Sequence, residues 1–93
     1  VYGLFIANRI DSNTAETFRI GIWYTRDDER LELHIIPFTL MQFSMFFKAI
    51  FSKGNATPQA VIDLMIQCEQ FRRDYEAPQW KARIAETVST LTQ

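Results

Sequence analysis

The chain has 93 residues, with ten Lys and Arg against eleven Asp and Glu, a formal charge of −1, 47% hydrophobic and 23% charged residues. This balance excludes collagen-like, mucin-like and disordered acidic or basic segments, each of which needs a skewed composition. It also excludes a freestanding basic nucleic-acid module, and the lone Cys68 excludes an internal disulfide, so that a reduced, cytoplasmic setting is expected.

Val1 opens inside an apolar run that ends at Asn8-Arg9. Residues 1–7 are β-branched and aromatic without helical period and predict a buried strand. No charged n-region or cleavage site marks a signal peptide, and a chain that starts within a strand is expected to be part of a larger protein. Asp11-Ser12-Asn13 supplies helix-start chemistry, with Asn13 as the expected N-cap and Glu16 at N3. Ala15, Phe18 and Ile22 then share a helix face, while Ile20 to Tyr24 also has strand character, so this stretch is either helix or strand. Residues 25–30 form a polar loop of mixed sign.

Leu31 to Pro37 predicts a strand, with Pro37 as its stop. Thr39 and Gln42 have capping-box spacing, and Phe38 and Phe43 have that of a hydrophobic staple. They announce a helix that runs to about Lys53 and ends at Gly54. Leu40, Phe43, Phe47 and Ile50 make one stripe of it, and Met41, Met45, Phe46 and Phe51 widen that stripe beyond a single face. Thr57-Pro58 starts another helix, with Val61, Leu64, Cys68, Phe71 and Tyr75 on one side. A last helix after Ala77-Pro78 carries Trp80, Ile84, Val88 and Leu91 on one side. The apolar-rich stretch from Ile35 to Phe51 is interrupted by Pro37, Thr39, Gln42, Ser44 and Lys48, and falls short of the ~20 apolar residues of a membrane span.

The order predicts an α/β fold: a partial sheet of two or three strands in β-α-β order, followed by three helices. The strands are parallel if the segment between them forms a crossover, or residues 20–24 and 31–36 pair as an antiparallel hairpin. Either sheet is small, with exposed edges. The 93 residues are expected to form a single domain or a fragment of one, 1–53 carrying the sheet and first long helix and 57–93 a helical extension.

The chemistry is sparse. The three glycines are far apart, so no phosphate-binding glycine motif exists, and one Cys with one His cannot hold zinc. Asp11, past the first strand, with Glu32 and His34 two residues apart on another, are residue types from which a Mg²⁺ site can be built. Asp11 has its ordinary role beside Ser12 and Asn13, and no metal site is expected. Arg9 and Arg19 are the candidates for phosphate or DNA contact. Arg72-Arg73, flanked by Glu69, Asp74 and Glu76, is expected to be self-paired surface charge.

The segments Gly3-Leu4-Phe5-Ile6-Ala7, Ile10-Asp11-Ser12-Asn13-Thr14, Phe18-Arg19-Ile20-Gly21-Ile22-Trp23-Tyr24 and Ile35-Ile36-Pro37-Phe38-Thr39-Leu40-Met41-Gln42-Phe43 occur in an order that resembles the C-terminal part of AlwI-type restriction endonucleases. These are relatives of the FokI-like cleavage domains of type II enzymes. The resemblance covers about residues 2–50. It implies a nuclease fold with a mixed sheet, a Mg²⁺-dependent site and cleavage of double-stranded DNA by the full-length protein. The family's catalytic pattern is an Asp followed by Asp/Glu-x-Lys on earlier strands, and no such acidic-x-Lys triplet occurs in this chain. The resemblance therefore implies a non-catalytic portion with no cofactor of its own, which is expected to be inactive alone.

The alternative is a small interaction or dimerisation module. Its expected oligomer interface is Phe43, Met45, Phe46, Phe47 and Ile50, on a helix too apolar for one sheet to cover. The expected partner is then a second copy or a missing N-terminal part, and no membrane.

Overall fold

The computed structural model describes residues 2–92; Val1, the first residue of the expected opening strand, lies outside them. In chain order the elements are β1 (Tyr2–Ala7), α1 (Ser12–Ile20), β2 (Ile22–Tyr24), β3 (Arg30–Glu32), β4 (His34–Thr39), α2 (Leu40–Ser52), α3 (Pro58–Glu69) and α4 (Ala77–Leu91). β1 and β4 pair in parallel, from Tyr2 opposite His34 to Ala7 opposite Thr39, and β2 and β3 pair antiparallel. This is the expected α/β class: a β-α-β arrangement with a small two-stranded sheet, followed by helices.

The crossover and the hairpin coexist, because the expected strand from Leu31 to Pro37 is two strands. At Leu33 the chain leaves one sheet and enters the other, and the Leu33 N–H donates to the Gly21 carbonyl (2.7 Å). Residues 20–24 divide in the same way, with helix through Ile20, Gly21 in the left-handed conformation (φ 64°), and strand from Ile22. Pro37 does not stop the second strand, which continues to Thr39. Proline has an extended-compatible φ, and among the described residues β4 has one strand neighbour, so a missing N–H is tolerated there.

The cap of α1 also differs from expectation. The helix starts at Ser12, so Asp11 is the N-cap, its carboxylate accepting from the Thr14 N–H (2.7 Å), while Glu16 pairs with Arg19. That backbone hydrogen bond holds the Asp11 carboxyl below its ordinary value of 3.8, with a smaller contribution from the Lys81 charge. A depressed carboxyl pKa contributes stability above the unfolded-state value and loses it as pH falls through the lower, folded one. Asp11→Asn keeps a good cap but has no charge to lose. Its stability should therefore fall less than that of the parent below about pH 4, as checked by denaturant unfolding across the acid range. An identical acid limb in both proteins would refute this role.

The capping box of α2 forms as the spacing predicts: Thr39 Oγ1 accepts from the Gln42 N–H (3.1 Å), and Gln42 Oε1 accepts from the Thr39 N–H (2.9 Å). Thr57 caps α3, with Pro58 in its first turn. That helix stops at Glu69, so Phe71 and Tyr75 lie in the following turn and the expected stripe is cut short. Near its end the Cys68 carbonyl accepts from the Trp80 indole Nε1–H (2.9 Å), tying α3 to α4. The core joins Ile36 and Phe38 of β4 to Ala15, Phe46, Ile50, Leu64, Trp80, Ile84 and Val88 from all four helices. Burial pushes the Cys68 thiol up to about 12, which leaves it an unreactive packing residue.

Candidate functional site

An open cleft of about 490 Å³ is lined in part by Tyr2, Glu32, His34, Glu69, Arg72, Arg73 and Asp74. It lies where the turn after α3 meets the junction between β3 and β4. Arg72 organises it. Its side chain is buried; Nη1 donates to the Leu33 carbonyl (3.0 Å) and Nη2 to Glu32 Oε1 (3.1 Å), while Glu69 Oε1 lies 3.8 Å from Nη2. Arg73 also pairs with Glu32, and His34 Nδ1 with Glu69. Among the described residues the Arg72 Nε–H has no hydrogen-bond partner.

Glu32 and His34 thus line one cleft, as their spacing suggested, but each is committed elsewhere. His34 pairs with Glu69 across the cleft, and Glu32 with the two arginines. Asp11 caps α1 and joins neither. Among the described residues, no group of three or more His, Cys, Asp or Glu side chains is arranged to hold a metal ion.

Arg72 is the residue that sequence reasoning misplaced. Its near neighbours are acidic, which suggested self-paired surface charge, whereas it reaches back 39 and 40 residues to Leu33 and Glu32. No local pattern carries that signal. Of the two candidate contact residues, Arg9 is exposed just beyond β1 and has no ion pair among the described residues, while Arg19 is held by Glu16.

Of the five residues expected at an oligomer interface, Phe46 and Ile50 turn into the chain's own core. Phe43 and Phe47 are half-buried and stacked edge-to-face (4.8 Å between centroids), and Met45 is exposed. The helix rotates so that β4, α3 and α4 cover its Phe46–Ile50 side, leaving Leu40, Met41, Met45 and Phe51 exposed.

The fold and cleft define a small α/β unit whose polar centre is an ion-pair network joining a sheet junction to a helix end. Residues 1–46, from β1 into α2, match the family model of the AlwI restriction endonuclease, a family-level similarity to a restriction-endonuclease domain. No curated protein and no solved structure matches the chain. The Mg²⁺ ion that such a family implies does not fit the donors described, because the Asp11 carboxylate is bonded to the Thr14 N–H and Glu32 is taken up by two guanidinium groups. Hard cations need clustered oxygen ligands with free lone pairs. Among the described residues no helix is long and apolar enough to cross a membrane.

Proposed function

We propose that this chain is the non-catalytic, C-terminal portion of a Mg²⁺-dependent type II restriction endonuclease of the AlwI kind. Residues 1–53 would form part of the nuclease-like core and residues 57–93 a helical extension. The observation that carries the reading is the family match over residues 1–46, on a chain without an acidic-x-Lys triplet. In this reading, cleavage of double-stranded DNA and the metal belong to the full-length cytoplasmic enzyme. Arg9 and Arg19 contribute only secondary phosphate contacts, since the chain has no net positive charge.

The first test is enzymatic. Supercoiled plasmid incubated with the purified chain and Mg²⁺ or Mn²⁺ should stay intact, because metal-assisted phosphodiester hydrolysis needs an assembled metal site. Nicking that disappears with Asp11→Ala or Glu32→Ala would overturn the prediction. The second test is genetic. An Asp followed by an Asp/Glu-x-Lys triplet encoded upstream of Val1 supports the reading, whereas an initiator codon directly before Val1 counts against it.

A second reading, an interaction or dimerisation module, is favoured by the large apolar side chains left exposed. They lie on α2 at Leu40, Met41, Met45 and Phe51, and on β1 at Tyr2, Phe5 and Ile6.

A further inference from the structure

The cleft around Arg72 adjoins Tyr2 and His34, where the two parallel strands begin. A separate pocket of about 350 Å³ opens at their other end, where Ala7 stands opposite Thr39. Ile10 from the turn after β1, Thr39 at the end of β4 and Gln42 in the first turn of α2 form one wall, and Pro78 and Lys81 of α4 face them. Parallel α/β sheets receive ligands outside the carboxyl ends of their strands, and the volume lies at the lower end of the range that small ligands occupy, about 300–1,000 Å³.

The two concavities differ in chemistry. Around Arg72, charges of both signs satisfy one another. Among the described residues that line the second pocket, Lys81 supplies the charge and no carboxylate is present. Lys81 is half-buried and makes no ion pair among the described residues. Its charge reaches the Asp11 carboxyl only as a minor influence, and that carboxylate is bonded to the Thr14 N–H outside the lining. The capping box adds to the asymmetry. Thr39 Oγ1 and Gln42 Oε1 both accept backbone N–H bonds, so their acceptor sides are spent. What they still offer is a hydroxyl proton on Thr39 and the amide Nε2 donors of Gln42. Beside one ammonium group, these make a surface of donors with no anion among them.

We propose that this pocket binds the phosphate group of a phosphate ester. Lys81, Gln42 Nε2 and the Thr39 hydroxyl are the donors to its oxygens, and Ile10, Pro37 and Pro78 lie against its organic part. A phosphate ester fits better than a carboxylate, because its three acceptor oxygens match three donors carried by two walls of the pocket. The same group is found in a small organic phosphate and in the backbone of a nucleic-acid strand. Lys81 lies beyond the matched residues 1–46, so the inference goes further than the endonuclease reading and stands without it.

The test is a titration of the isotope-labelled chain, followed by amide shifts in NMR spectra. The probes are adenosine monophosphate, inorganic phosphate, a short DNA duplex and acetate, all at one ionic strength so that screening stays constant. Saturable shifts should centre on Thr39, Gln42 and Lys81, with acetate weaker than phosphate by about tenfold. Lys81→Met keeps the aliphatic stem and deletes the charge. Gln42→Glu keeps the oxygen that caps the Thr39 N–H and exchanges the donor for an acceptor. Each should weaken binding by about tenfold or more, with the far-UV spectrum retained. Lys48→Met removes the same charge from an exposed position on α2 outside the pocket, and should change binding by no more than about twofold. Saturation by the nucleotide or by inorganic phosphate identifies a small phosphate, and saturation by the duplex alone identifies a strand's backbone. The absence of saturable shifts at these residues overturns the proposal, and this measurement on the parent chain decides even if a variant fails to fold. Equal losses in Lys81→Met and Lys48→Met overturn it too, as does acetate that binds as tightly as phosphate. No DNA cleavage enters these readouts, so either this inference or the endonuclease reading can fail without the other.

Discussion

Trp80→Ala should destabilise the chain by about 3–5 kcal/mol, the range for truncating a large aromatic in a packed core. Trp80 is fully buried, at the meeting of α3 and α4, and its indole N–H satisfies the Cys68 carbonyl. Truncation removes apolar contact, leaves a cavity among helices and deprives that carbonyl of its donor. A chain of this size has roughly 5–14 kcal/mol of total stability, so the loss is a large fraction of it. Trp80→Phe separates the contributions. It keeps most of the packing and loses the donor, for an expected cost of about 1–3 kcal/mol. Urea unfolding followed by far-UV circular dichroism measures both. If Trp80→Phe costs as much as Trp80→Ala, the packing account fails.

Gly21→Ala is the second large effect, expected at about 2–4 kcal/mol. Two penalties add at this position. The φ of 64° is a left-handed conformation that an L-residue resists, and a Cβ there would stand 2.6 Å from the Leu33 carbonyl oxygen and 2.7 Å from Arg72 Nη1. Those atoms belong to the junction itself, since Leu33 receives the Arg72 guanidinium and donates its own N–H to Gly21. Moving the arginine aside exposes a buried charge to worse pairing, and moving Leu33 pulls β3 away from β4. Gly54 is the internal control, with φ 70° and nothing within 4 Å of its Cβ position. Gly54→Ala should lose only the backbone penalty, about 1 kcal/mol. Equal costs at the two glycines, measured by the same unfolding curves, would show that the contact with Leu33 and Arg72 does not matter.

The resemblance to an AlwI-type endonuclease rests on residues that the structure gathers into β1, α1, β2, β4 and the start of α2, where the family match falls. The segments after it gain their meaning from packing. α4 lies against α1, α2 and α3, so the C-terminal helix helps to close the core begun by the strands. Its Trp80, Ile84 and Val88 side chains provide that closure.

What the sequence determined by itself was local. The Thr39–Gln42 capping box, the Thr57-Pro58 helix start and the Trp80–Ile84–Val88 face were all legible. Each depends on residues three or four apart, whose geometry a helix imposes without help from the rest of the chain. The same locality made Glu32 and His34 readable as neighbours. Tertiary structure decided the remainder. Sequence left open whether residues 20–24 were helix or strand, and treated residues 31–37 as one strand. The break at Leu33 depends on Gly21, twelve residues earlier, and on Arg72, thirty-nine residues later. Arg72 could be recognised as buried only once the turn after α3 brought it beneath the sheet junction, because its immediate neighbours supply enough acidic charge to suggest solvent pairing. Phe46 and Met45 adjoin in one apolar run, yet one is core and the other surface, since the α2 face that turns inward is chosen by β4, α3 and α4. Short-range hydrogen bonds place caps and faces, whereas burial and long-range pairing depend on which distant surfaces meet.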